Sequence, residues 1–232
     1  MKKIVLLGTV LTFSAQAEDV AVSGKDAYAG FYAGLGICWS HSINKIKATY
    51  GSDGNWHGYE IHNKKGDKLG GSLVGGYGNF ITGNCYLGGE LILDIAGNKT
   101  TNGEYSYAGD VYSYYAKVKG FVPSIAMRVG GWLCPIDSLI YARLGIAFVK
   151  AEFQEKDPAY FNDTRKINKV APIIGLGIEK NVYNNINVRL EGDYRFQVKK
   201  EDVSRMSNGN GYVNVENRLK GFTVRLMATY KF

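Results

Sequence analysis

The chain ends on a segment that few folds can use. In Phe222-Thr-Val-Arg-Leu-Met-Ala-Thr-Tyr-Lys-Phe232, Phe222, Val224, Leu226, Ala228, Tyr230 and Phe232 alternate with Thr223, Arg225, Met227, Thr229 and Lys231. A period of two puts the first set on one face of a β-strand and the second on the other. The length suits the ~9–11 residues of a tilted strand crossing a bilayer. The pattern recurs at 29–40, 68–80, 85–96, 117–131, 139–150, 170–180 and 186–196. In each, one face is apolar, as with Phe31, Ala33, Leu35 and Ile37, while the other is small, polar or charged.

Eight antiparallel strands form the smallest closed membrane barrel, with an interior just wide enough for side chains to fill. Closure is required, because an open edge in lipid leaves N–H and C=O groups unpaired. Connections near 80–84, 132–138 and 181–185 are short, whereas 41–67, 97–116, 151–169 and 197–219 are long and polar. That asymmetry predicts an all-β, eight-stranded antiparallel transmembrane barrel over 29–232. Its short turns and termini are expected in the periplasm and its four long loops outside the cell. A ten-stranded count would need loop segments to be strands. Mean hydropathy is only −0.17, which suits strands that show every second residue to lipid. Beyond the N-terminus nothing approaches the ~20 apolar residues of a membrane helix.

The N-terminus reads as an export signal. Lys2 and Lys3 precede an apolar run from Ile4 to Phe13, and Ala15-Gln16-Ala17 supplies the small-residue pattern for cleavage before Glu18. Residues 1–17 are thus expected to be removed, leaving 18–28 as a short periplasmic segment. Losing Lys2 and Lys3 lowers the formal charge from +7 to +5. The cysteines are Cys38, Cys85 and Cys134. An odd count permits at most one internal bridge. Cys85 and Cys134 fall at the turn side, so a disulfide between them is the candidate in that oxidising compartment.

If apolar faces meet lipid, the opposite faces gather Glu90, Asp94, Glu179, Glu191 and Asp193 with Arg128, Arg143, Arg189, Arg195 and Arg225. Buried charges are costly unless paired, and arginine offers a planar fork for carboxylates. A lumenal ion-pair network that plugs the barrel is expected; an ion pathway is the alternative. Aromatics should bracket the apolar band: Trp39, Phe148, Phe196 and Phe222 toward the loops; Phe31, Tyr77, Trp132, Tyr183, Tyr230 and Phe232 toward the turns.

Chemistry is sparse. His41, His57 and His62 fall in the first loop region with Ser40, Ser42, Asp53 and Glu60, but no nucleophile elbow or H-E-x-x-H accompanies them. No catalytic, metal or cofactor site is expected. The glycine-rich stretch from Gly70 to Gly76 lacks the Lys-Ser/Thr of a phosphate loop. Lysines and arginines in the first, third and fourth loops, among them Lys64, Lys65, Arg165, Lys166, Lys199 and Lys200, suit anionic partners such as lipopolysaccharide phosphates. Nothing supports sequence-specific nucleic-acid binding.

The chain also resembles the opacity-type, porin-like outer-membrane β-barrel proteins of proteobacteria. The carriers are Phe31-Tyr-Ala-Gly-Leu-Gly36, Gly75-Gly-Tyr-Gly-Asn-Phe80, Tyr86-Leu-Gly-Gly-Glu-Leu91, Arg128-Val-Gly130, Tyr141-Ala-Arg-Leu-Gly145, Gly175-Leu-Gly-Ile-Glu179 and Val188-Arg-Leu-Glu-Gly-Asp-Tyr194. The closing Tyr230-Lys-Phe232 is similar to that family's C-terminal assembly signal, which implies the outer-membrane assembly machinery as a partner. The three cysteines, and Gly192 where an aromatic is common, depart from the pattern. The resemblance implies a non-enzymatic surface protein of the Gram-negative outer membrane, set in lipid and lipopolysaccharide. It implies a role in envelope integrity and in contact with host or envelope molecules. A narrow porin-like channel is the alternative, and a lipid-modifying enzyme comes third.

Overall fold

In the computed structural model, residues 24–52, 55–96, 99–107, 110–118, 120–156, 162–205 and 212–232 are described, with side chains over 24–43, 66–96, 120–150, 168–196 and 220–232. The proposed signal segment and the side chains of His57 and His62 lie outside them. The strands are β1 (Gly30–Ser52), β2 (Asn55–Thr82), β3 (Cys85–Ala96), β4 (Lys99–Tyr107), β5 (Asp110–Val118), β6 (Phe121–Leu133), β7 (Ser138–Lys156), β8 (Asn162–Tyr183), β9 (Ile186–Arg205) and β10 (Tyr212–Lys231).

Eight of these close the barrel. Antiparallel pairing runs β1–β2–β3–β6–β7–β8–β9–β10 and returns to β1, where Tyr32 faces Lys231 and Trp39 faces Val224. The other two are not extra staves. β4 and β5 form a hairpin, with Tyr105 opposite Tyr112, and β5 pairs with the far end of β7 from Val118↔Ala151 to Ser113↔Lys156. The hairpin therefore continues the wall of β3 and β6 beyond its interruption. In the same way β1–β2, β7–β8 and β9–β10 run far into stretches expected as loops. Their polar composition concealed strands that no longer need an apolar outer face once past the bilayer. Residues 117–118 belong to the hairpin, not to the strand expected over 117–131, and β6 begins at Phe121.

The distribution of side chains is that of a water-soluble protein turned inside out. Phe31 is 67 % and Leu69 72 % exposed on the outer wall, whereas Arg128, Arg143 and Arg189 are completely buried inside. Soluble proteins rarely expose a continuous apolar surface of this extent. Tyr77, Tyr183, Tyr230 and Phe232 lie outward near the turns, and Trp39, Phe196 and Phe222 lie outward near the loops. Trp132 breaks that pattern: it is only partly exposed, packs inward against the N-terminal turn, and donates from Nε1 to Asp137 Oδ1 at 3.0 Å.

Two expectations at the turn end change. All three cysteines are free thiols, so the Cys85–Cys134 bridge is not formed. Cys85 pairs with Gly131, and Cys134 lies three residues beyond. At a strand rise of ~3.4 Å per residue that offset is about 10 Å, beyond the Cα separation a disulfide spans. The residues before β1, expected merely to precede the barrel, include a 3₁₀ turn, η1 (Gly24–Tyr28), whose Ala27 and Tyr28 are buried. They pack on Tyr86, Leu139 and Tyr141 in the mouth of the lumen.

Candidate functional site

Strand parity delivers all ten anticipated charges to the interior, and closure decides which of them meet. Arg128 of β6 and Arg143 of β7 are direct cross-strand partners, a like-charge placement that is unfavourable by itself. Carboxylates offset that repulsion, and Glu90 is in ionic contact with both. Arg128 Nη2 lies 2.5 Å from Glu179 Oε2 on β8, and Arg143 Nε lies 2.5 Å from Glu90 Oε1 on β3. The latter contact is off the hydrogen-bonding direction and acts as an ion pair only. Arg189 of β9 bridges the centre, with Nη1 2.9 Å from Glu90 Oε2 and Nη2 3.2 Å from Glu179 Oε2. Its Nη1 also reaches Glu191 Oε1 at 3.4 Å.

A second group lies toward the loops. Arg225 of β10 holds Asp94 of β3 through two donors, Nη2 to Oδ2 at 2.5 Å and Nε to Oδ1 at 2.8 Å. Arg225 and Arg143 both donate to Asp193 Oδ2, which joins the two groups. These contacts cross the lumen. β3 is neighbour to neither β9 nor β10 in the wall, yet carboxylates on β3 bind arginines on both.

Neutral groups that the sequence reading had not assigned to the network complete it. Tyr32 Oη donates to Glu90 Oε2 at 3.0 Å and accepts from Arg128 Nη1 at 3.1 Å. Tyr141 Oη donates to Glu191 Oε1 at 2.5 Å, and its ring stands 3.7 Å from the Arg128 guanidinium carbon. Ser72 donates to Asp94 Oδ1 at 2.6 Å, and Asn187 Nδ2 to Glu179 Oε1 at 3.1 Å. The available signal was parity: each occupies an inward position of its strand. Glycine makes room for the rings, and a methyl group at Gly177 would meet the Tyr141 ring at 2.4 Å.

Arg195 stands apart. It forms none of these ion pairs, its Nε is buried without a hydrogen-bond partner among the described residues, and it borders a cavity of about 20 Å³ with Ser124, Thr223 and Arg225. Glutamine keeps a donor at this position and Nε gives up no hydrogen bond among the described residues, so Arg195→Gln is expected to change the unfolding free energy by less than about 1 kcal/mol, measured by urea titration in lipid vesicles.

His41 does not join the lumen. Its Nδ1 lies 2.7 Å from Asp67 Oδ1 on the outer wall beside Trp39. Ser40, which bonds to Thr223 inside the barrel, and Ser42 alternate to the other face. Tyr230 and Phe232 remain outside, with ring centroids 5.4 Å apart.

The OmpA-like transmembrane domain model matches residues 26–222. The chain belongs to that family. It is therefore an outer-membrane protein, and its closed eight-stranded barrel is the family's membrane-spanning unit. The 22 kDa outer membrane protein of Rhizobium leguminosarum bv. viciae is 27 % identical over 197 residues, covering 84 % of this chain and 77 % of that protein. Among solved structures, OprG of Pseudomonas aeruginosa aligns over 88 % of this chain and 97 % of its own, at a TM-score of 0.52 and 12 % identity. That likeness concerns the fold alone. Ail, the attachment invasion locus protein of Yersinia pestis, aligns over 85 % of this chain and 99 % of its own, at a TM-score of 0.36 and 15 % identity.

Proposed function

We propose that this protein is a sealed, non-enzymatic barrel that braces the outer membrane and carries its long β-arms to the cell exterior for surface contact. The observation that carries the reading is the filled lumen. Four fully or almost fully buried arginines share five carboxylates across the interior. Membrane barrels of this size generally fill their interiors with side chains. Short turns and both termini are assigned to the periplasm and the arms to the exterior, as in bacterial barrels generally. Lysine and arginine in the arms suit phosphate groups of lipopolysaccharide or acidic host and envelope glycans. Outward Tyr230 and Phe232 suit recognition by the assembly machinery.

The test is single-channel recording on the full chain folded into planar bilayers. A silent wild-type protein supports the sealed barrel; reproducible unitary steps overturn it. A narrow channel is the second reading, favoured by the cavity beside Arg195. Under that reading, Arg195→Gln alters the size or ion preference of the steps.

A further inference from the structure

The N-terminal turn has more bonds than a passive leader requires. We infer that Gly24–Tyr28 is a lumenal plug that shuts the turn end of the barrel and latches its three short turns to the closing seam. The inference bears on the sealed-barrel reading but rests on separate contacts.

Chain direction comes first. Gly24 and Gly30 have φ of +79° and +117°, values that residues with a Cβ rarely adopt. They bracket η1 and let the backbone fold under the barrel before β1 begins. Ala27 is completely buried and Tyr28 only 3 % exposed, although β1 starts two residues after Tyr28.

Each short turn is then bonded to a residue of η1. Lys25 Nζ donates to Gly83 O between β2 and β3 at 2.8 Å, with its ammonium 5.7 Å from the Trp132 ring centre. Tyr28 Oη donates to Asp137 O before β7 at 2.9 Å and accepts from the Asn181 amide beside the β8–β9 turn at 3.2 Å. Asn187 Nδ2, across that turn, donates to Ala27 O at 2.9 Å. At the seam, Lys231 of β10 donates to Asp26 O, and the Phe232 amide donates to Phe31 O of β1 at 2.9 Å. The plug thus ties all three turns to the only pairing that joins the first strand to the last. Asn187 also bonds Glu179, which couples the plug to the ion-pair layer above it.

Burial pushes the Tyr28 hydroxyl up to about 12 against the lowering effect of the Asn181 amide, and the negative charges of Asp137 and Glu179 add to the rise. The hydroxyl therefore remains a donor to Asp137 throughout the neutral range.

The test uses Leu139→Cys as a buried reporter beneath the plug, in a full chain carrying Cys38→Ser, Cys85→Ser and Cys134→Ser and folded into lipid vesicles. Reaction with a water-soluble maleimide should be slow. Lys25→Ala and Tyr28→Ala should each speed it about fivefold to tenfold, the scale set by losing one or two hydrogen bonds, and should lower the temperature at which the barrel unfolds. Tyr28→Phe, which keeps the ring and loses the bonds, should fall between. If Tyr28→Ala does not fold, Lys25→Ala decides, because Lys25 lies at the rim. Unchanged labelling and unfolding temperature in Lys25→Ala and in whichever Tyr28 variants fold would overturn the plug. A silent wild type whose variants label and unfold as it does would overturn the plug and leave the sealed-barrel reading standing, whereas a wild type that conducts would overturn both.

Discussion

Arg128→Ala is expected to destabilise the folded barrel by about 3–5 kcal/mol, the cost of stranding a buried charge. The variant leaves Glu179 with Arg189 as its remaining arginine, at 3.2 Å in place of the 2.5 Å contact to Arg128. Arg189 also serves Glu90 and Glu191, so it cannot turn wholly to Glu179. The guanidinium further fills the space between Tyr32, Tyr86 and Tyr141, and truncation removes that packing. Urea unfolding in lipid vesicles measures the loss. The double variant Arg128→Met with Glu179→Gln should recover a large part of it, because exchanging a whole buried pair for groups of similar volume is often nearly neutral. An Arg128→Ala barrel as stable as wild type would show that the network contributes little.

The second large effect is expected at the seam. A methyl group on Gly36 would lie 2.2 Å from the Leu226 carbonyl oxygen and 2.6 Å from the Met227 Cα. Both are backbone atoms of β10 directly across the closing pair, where Gly36 faces Met227. A flexible side chain could yield; a paired strand yields only by breaking its ladder. Gly36→Ala should therefore cost about 1–3 kcal/mol, the usual range for overpacking, and reduce the fraction of chain that reaches the folded band on unheated gels. Gly89→Ala is the matched control. Gly89 is outward, a Cβ there meets nothing within 4 Å, and its folded fraction should equal that of wild type. Equal folding of the two variants would mean that the β1–β10 pair has slack.

Much of the barrel could be read from the chain because alternation is a local property. Leu144, Ile146 and Phe148 reveal their face without reference to any other strand, and the Asn184–Asn185 turn between β8 and β9 is similarly local. The reading failed where the outer face stopped being apolar. Residues 99–107 and 110–118 pair as a hairpin, yet nothing in their polarity separated strand from loop. It failed also at Trp132, assigned to the lipid belt as an aromatic near a strand end. Its even position on β6 is inward, as for Arg128 and Ser124, and η1 supplies the surface that covers it. Nor could η1 be found from its own residues. The groups that bury it, Tyr86, Leu139 and Tyr141, belong to β3 and β7 and come together only in the closed barrel.

The sequence by itself determined the class of solvent and the contents of the lumen. In a bilayer, period-two alternation puts apolar side chains outside, which sends five arginines and five acids inward whatever the details of assembly. Tertiary structure alone decided the partners. Arg128 meets Glu179, 51 positions away, and Arg225 meets Asp94, 131 positions away, while Arg128 and Arg143, side by side on the wall, both contact Glu90. Parity tells each side chain which face to take. The stagger of eight strands, and the choice of which lies opposite which across the interior, fixes where its charged end arrives.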